Sequence, residues 1–186
     1  MKQKKCKHCR KEFKPRFSSL EKYCWEVECK EVEVKIFLEK KRKADERKRN
    51  KEKVEKKKEL LTLSDHLKIA QATFNHWIRL RDSNQLCISC NKLLTKGNVD
   101  CGHYHSAGGH FNVRFNEDNC HAQCSRPCNK DKAGDLINYR IGLIKRIGLE
   151  RLEYLDSIAN VTRKFTIEEV KEINETYKRK IKELKQ

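Results

Sequence analysis

Cys87-Ile88-Ser89-Cys90, Asp100-Cys101-Gly102-His103-Tyr104-His105 and Asn119-Cys120-His121-Ala122-Gln123-Cys124-Ser125-Arg126-Pro127-Cys128-Asn129 form the stretch whose reading decides the fold. Two cysteine pairs, 33 residues apart, bracket a histidine-rich segment. Four thiolates from Cys87, Cys90, Cys124 and Cys128 fill a tetrahedral zinc shell and leave no open position. Such a zinc is structural, so any chemistry belongs to groups between and beside the cysteines. His103, His105 and His121 are alternative ligands that could displace Cys128. Cys101 and Cys120 are expected to pack as small apolar side chains.

Working outward, 186 residues give room for one modest domain with an appendage, or two small ones. Hydrophobic residues are 37% and charged residues 38%, so the core is small for the length and metal is its natural supplement. The chain starts Met-Lys-Gln-Lys-Lys-Cys without an apolar leader segment, and no apolar run approaches the roughly 18 residues of a membrane span. The expectation is a cytoplasmic protein without a membrane partner, whose ten cysteines mostly serve zinc rather than disulfides. A net charge of +17 favours a polyanionic partner, DNA above all.

Upstream, Cys6, Cys9, Cys24 and Cys29 enclose an aromatic-rich loop with Phe13, Phe17, Tyr23 and Trp25. They predict a second zinc site in a ribbon-like knuckle over residues 1–30, with His8 as a substitute ligand. Residues 31–62 turn to Lys, Arg and Glu; from Glu39 to Glu59 only Ala44 and Val54 are apolar. Without Gly, Pro or a heptad seam, this predicts an exposed basic helical arm or charged linker. Residues 63–186 form the remaining domain. A helix is expected from Leu63, capped by Ser64 or Asp65 and presenting Ile69, Thr73, His76, Trp77 and Leu80 on one face. Val99 to His105 reads as a strand, residues 111–115 as its returning partner, and Cys124 to Lys132 as the start of a short helix. Helices follow Gly134, stop at Gly148, resume over Leu149 to Ala159, and restart at the capping box Thr166-Ile167-Glu168-Glu169. The fold class is α+β and mostly helical.

The chemistry suggested by these residues is phosphodiester hydrolysis. A histidine at a strand end takes a proton from water near neutral pH, which makes His103 the candidate base. Asp100 or a backbone carbonyl would fix its tautomer, and Gly102 would let the backbone approach phosphate. Asn129 offers an oxygen suited to a hard cation such as Mg²⁺, with Mn²⁺ as a substitute. Asn129 also has a plain alternative as a helix cap.

The ordered set resembles zinc-clamped nucleases of the HNH type with a ββα-metal finger, in the form of recombination endonuclease VII. Asp100-x-Gly-His103 is similar to the Asp-Arg-Gly-His motif of non-specific ββα-metal nucleases. More closely, the chain resembles the phage lambda NinG (Rap) recombination endonuclease family. The residues are Cys87-Ile88-Ser89-Cys90, Gly102-His103-Tyr104, Arg114-Phe115-Asn116-Glu117, Asn119-x-His121-x-Gln123-Cys124, Cys128-Asn129, Tyr139-Arg140, Arg146-Ile147-Gly148 and Thr166-Ile167-Glu168-Glu169. The resemblance implies a ββα-metal finger flanked by helices, and a metal-dependent endonuclease cutting Holliday junctions or D-loops during phage recombination. It also implies recombination proteins as partners and the bacterial host cytoplasm as the setting. It implies that His103 is the base, that Asn119 braces the base-bearing loop, that Asn129 binds the catalytic metal, and that His121 helps bind metal or phosphate. Two incisions at a four-way junction would suit a homodimer. The chain departs from the pattern in having three residues between Cys124 and Cys128, and Gly102 where many such enzymes carry Asp. The alternative is a non-catalytic, zinc-dependent DNA-binding or adaptor protein.

Overall fold

The computed structural model describes residues 2–95 and 97–185, in two compact units, residues 1–60 and 61–186. The first unit opens with a two-stranded antiparallel ribbon, β1 (Lys4–Lys5) and β2 (Glu12–Phe13), and continues into one long helix, α1 (Val27–Glu59). At 33 residues α1 is about 50 Å long. Its charged side chains favour helix, and the Lys43–Glu39 pair supports it locally. The helix begins before the expected boundary at residue 30, so Cys29 lies in its first turn and is its one buried residue.

The second unit is mostly helical, with one small sheet. α2 (Leu63–Arg81) is capped by Thr62, ahead of both expected caps. Thr62 Oγ1 accepts from Asp65 N–H at 3.3 Å, and the Asp65 carboxylate accepts from Thr62 N–H at 3.0 Å. The buried stripe is Leu67, Ala70, Phe74, Trp77 and Ile78, rotated from the expected face, and Ile69 is 42% exposed. Both stripes satisfy helical spacing; the partner helix decides. That partner is α5 (Ile167–Glu183), whose Tyr177 ring lies edge-on to Phe74 at 4.7 Å and tilted to Trp77 at 5.1 Å.

β3 (Val99–His103) pairs antiparallel with β4 (Cys120–Cys124), His103 opposite Cys120 and Asp100 opposite Gln123. The returning strand is therefore not at residues 111–115, where Phe111–Val113 instead forms a 3₁₀ turn. The reason is packing: Val113 is buried beside Tyr139, while Phe115 turns to Phe74 and Phe165. β4 is buried along its whole length, so it lacks the alternation by which half-exposed strands are found. The expected helix at Cys124–Lys132 is also corrected. Ser125–Asn129 is an irregular turn with extended Arg126 and a cis Arg126–Pro127 bond, and regular helix returns only at α3 (Leu136–Ile147). α4 (Leu149–Ala159) and the Thr166–Glu169 capping box of α5 lie where expected.

Asp82 joins three of these elements. Its carboxylate, 4% exposed, accepts from Arg81 Nε at 2.7 Å and from Ala122 N–H at 2.9 Å, with Arg146 of α3 at 3.7 Å. Burial alone would raise this carboxyl; His121, Arg81 and the Ala122 N–H outweigh it and hold the group far below its ordinary value of 3.8. The stabilisation is therefore present above that pH and fades as pH falls below it. Removing one partner of a buried charge network costs about 3–5 kcal/mol, so Asp82→Ala is expected to lower urea-unfolding stability by about that amount at pH 7. The loss should shrink when the same comparison is made in acid.

Candidate functional site

Cys87, Cys90, Cys124 and Cys128 place their Sγ atoms within 4.8 Å of one another. Cys87–Cys128 is 3.9 Å and Cys90–Cys124 is 3.8 Å. A tetrahedron with Zn–S near 2.3 Å has edges of about 3.8 Å, so this group is already the right size for zinc. The first pair sits on a tight knuckle in which Cys87 N–H donates to Lys92 O at 2.9 Å and Asn91 adopts φ of 53°. The irregular turn absorbs the extra residue between Cys124 and Cys128 and keeps Cys128 in the set, so none of His103, His105 or His121 replaces it. Burial pushes the Cys87 thiol up, but N–H groups of Cys90, Cys124 and Ser89 outweigh it and hold it at about 7. Such donors favour thiolate and support a metal.

The first unit repeats this design. Cys6, Cys9, Cys24 and Cys29 form a second group within 4.8 Å, with Cys9–Cys24 at 3.6 Å, and His8 is not part of it. Burial raises Cys6, yet N–H groups of Cys24, Cys9 and His8 bring it down to about 6. Each of the two tetracysteine groups could thus hold a zinc ion.

Between the second unit's cysteine pairs, the hairpin register separates the expected catalytic residues. Side chains alternate along a strand, so Asp100 and Gly102 share one face with His121 and Gln123, while Cys101 and His103 share the other with Cys120. His103 turns toward α2, its Nε2 at 3.2 Å from Gln71 Nε2. Gln71 Oε1 accepts from Arg114 Nε at 2.8 Å. Burial, then Arg114, lowers the His103 pKa below its ordinary 6.5 against an opposing bond to the Cys101 backbone, which favours the neutral ring. Asp100 does not orient it. The Asp100 carboxylate accepts from Asn129 Nδ2 at 2.9 Å, and although burial raises its pKa, Asn129 and Ser125 outweigh that and lower it.

Gly102 is explained by packing rather than by access to phosphate. A Cβ there would fall 2.4 Å from Gln123 Oε1 and 2.9 Å from Tyr139 Cε2. The Tyr139 hydroxyl reaches both strands there, donating to Gly102 O and accepting from His121 N–H, both at 2.9 Å. His121 is sealed in: Arg81 Nη2 donates to its Nδ1 at 2.9 Å, and its Nε2 is buried without a partner. Asn119 is fully buried. Its Oδ1 accepts from His105 N–H at 2.8 Å, and its Nδ2 donates to His105 O at 2.9 Å and Val113 O at 3.1 Å. The turn after His103 is locked by this one side chain.

Several partners escaped the sequence. Gln71 meets His103 and is itself held by Arg114, and Asp156 accepts from His105 Nε2 at 2.8 Å while pairing with Arg140 at 2.7 Å. Only Arg114 and Arg140 fell within motifs already singled out; the others lie far away in the chain and carry no local signature. Cys101 and Cys120 are buried as expected, and with a ring nitrogen of His103 they make a third group within 4.8 Å. A cavity of about 520 Å³ beside α5, lined by Phe115, Arg163, Phe165 and Tyr177, touches none of the expected site residues.

Fold and site together describe a mostly helical α+β chain with two tetracysteine centres, in which no described helix is long and apolar enough to cross a membrane. The family profile described as Bacteriophage Lambda NinG protein matches residues 1–186, and the chain belongs to the NinG family. Relatives bearing the name Protein ninG include that of Escherichia phage 933W, 36% identical over 196 residues and covering 98% of this chain and 94% of the relative. That of Enterobacteria phage H19B is 38% identical over 202 residues with the same coverage. That of Escherichia phage lambda is 44% identical over 119 residues, 64% of this chain and 57% of the relative. No solved structure matches.

Metal analysis of the purified chain is expected to give two zinc ions per chain, one for each tetracysteine group. Cys90→Ser should lose one and lower the thermal midpoint of the second unit. A third ion would belong to Cys101, His103 and Cys120 and would make His103 a ligand.

Proposed function

We propose that this NinG-family chain is a metal-dependent endonuclease that hydrolyses phosphodiester bonds in branched DNA such as Holliday junctions and D-loops. The observation that carries the reading is His103: a partly buried imidazole at a strand end, beside a turn fixed by the three hydrogen bonds of Asn119, in surroundings that favour its neutral form. A neutral imidazole accepts a proton from water, and a fixed turn holds it without reorganisation. Gln71 sets the ring's position and Arg114 supplies a cation for a phosphate oxygen. The charge of +17 supplies attraction to DNA.

For the cation, the Asp100 carboxylate and the Asn129 amide oxygen are hard donors on side chains in contact with one another, the chemistry that Mg²⁺ or Mn²⁺ takes. When bound there, such an ion would neutralise charge on the phosphate and leaving oxygen. His121 plays no part in this reading, because Arg81 and Asp82 enclose it.

A second reading, a zinc-dependent DNA-binding or adaptor protein without catalysis, draws on one observation. Asp100 and Asn129 meet on the hairpin face opposite His103. Cleavage assays on labelled four-way junction, D-loop and linear duplex, with and without Mg²⁺, separate the two. Under the nuclease reading, His103→Ala keeps junction binding and loses cleavage by roughly 100-fold or more. Asp100→Ala combined with Asn129→Ala loses the Mg²⁺-stimulated cleavage. Wild-type protein that binds junctions but never cuts them establishes the second reading. Because His103 is held below 6.5, the acid limb of the cleavage profile is expected to have its midpoint below that pH.

A further inference from the structure

The first unit carries a surface that neither its zinc site nor the hairpin chemistry uses. In the knuckle loop, Phe17 is 80% exposed, Leu20 79% and Trp25 39%. These large apolar groups are not loosely held. The Glu21 carboxylate accepts from three consecutive N–H groups, Arg16 at 3.1 Å, Phe17 at 2.8 Å and Ser18 at 3.1 Å, and so fixes the backbone that presents Phe17. The Phe17 ring stands edge-on to Trp25 at 5.4 Å. Arg16 and Lys30 lie over the Trp25 ring at 5.2 and 4.3 Å, so two cations adjoin the aromatic pair. The surroundings are basic on balance: residues 1–25 hold nine Lys and Arg against two Asp and Glu, and residues 26–38 hold two Lys against four Glu. Beyond them, Glu39 to Glu59 of α1 adds twelve Lys and Arg against six Asp and Glu.

Exposed rings on a pre-fixed loop, ringed by cations, match unpaired nucleobases joined by phosphates. Every base offers a π-face to stack on, and its flanking phosphates meet the cations. A stacked duplex offers the charge but hides the base faces, and an apolar protein partner would leave Arg16 without counter-charge, while Lys30, paired with Glu33 at 2.7 Å, would exchange that carboxylate for phosphate. We infer that the knuckle is a single-strand binding site, in which Phe17 stacks an unpaired nucleobase and Arg16 and Lys30 take the adjoining phosphates. A branched or partly opened duplex presents such bases, so the site would bias the protein toward them. The inference stands apart from the nuclease reading, because binding needs no cleavage.

The two tryptophans make the test direct. Trp77 is 6% exposed in the second unit, so fluorescence quenching by a nucleic acid reports Trp25. The zinc-loaded full chain is titrated with oligothymidylate in chelator-free buffer without Mg²⁺, and the His103→Ala chain is titrated in parallel. Saturable quenching is expected in both, absent in Trp25→Phe. Phe17→Ala should weaken binding roughly tenfold or more with an unchanged salt slope, and Phe17→Tyr should restore it. Zinc content confirms that each variant has kept its knuckle. The site is overturned by an absence of quenching, by equal affinity of Phe17→Ala, or by a duplex of the same length quenching as strongly. It is also overturned if sedimentation shows a dimer that Phe17→Ala dissociates, which gives the surface to a second copy of the chain.

Discussion

The Asp82 carboxylate sits where the end of α2, the strand β4 and the helix α3 converge, and the second unit depends on it. Arg81 binds it with two nitrogens and also donates to Glu117 O and Cys120 O, so one guanidinium fastens the helix end to the approach of β4. Arg146 reaches the same carboxylate from α3 while its other nitrogen donates to Leu86 O, just before Cys87, the first cysteine of the tetracysteine group. A buried carboxylate is costly unless its lone pairs are used. Here the partners come from separate segments, so the network favours this one arrangement of helix, hairpin and knuckle.

The tetracysteine group acts on the same hairpin from its other end. Cys124 closes β4, and its N–H donates to Cys87 Sγ at 3.3 Å, so the metal-binding knuckle and the strand share a hydrogen bond as well as a ligand set. Tyr139 completes the clamp from α3 by bonding to both strands with one hydroxyl. Between these fixed ends the turn at residues 104–119 is long, and Asn119 alone supplies three of its internal hydrogen bonds. His103 is held by the last pair of the strand ladder, whereas rigidity at His105 is inherited from polar groups rather than from regular secondary structure.

Charge is divided unevenly along the chain. Residues 1–60 hold 23 Lys and Arg against 12 Asp and Glu, which leaves the second unit the smaller part of the +17. The first unit uses little of this in internal pairs; α1 buries nothing beyond Cys29, and past Lys30 its basic side chains remain in water. A solvated helix is marginal on apolar contacts, and here good helix formers and local ion pairs sustain it. Its exposed positive charge comes without any loss of core.

Spacing made the two tetracysteine groups legible, because a tetrahedral ion demands paired ligands within a few residues of each other, and Cys6/Cys9 and Cys87/Cys90 meet that demand locally. Helix limits at Gly148 and at Thr166–Glu169 were legible for the same reason: a glycine stop and a capping box act within one turn. The α1 helix followed from composition. The choices that depend on distant neighbours were not legible. The α2 face was set by Tyr177 of α5, and the second strand was hidden because burial on both sides erased its alternation. The turn after Cys124 became irregular to keep Cys128 among the ligands. The partner of His103, Gln71, came from α2 and was itself fixed by Arg114 of the 104–119 turn, and Asp100 was drawn to Asn129 instead. Ligands, caps and charge could be read from the residues alone, since each acts over a few positions or by simple sum. The hairpin face that each polar side chain occupies emerged only on folding, because it depends on strand register and on packing against elements remote in the chain.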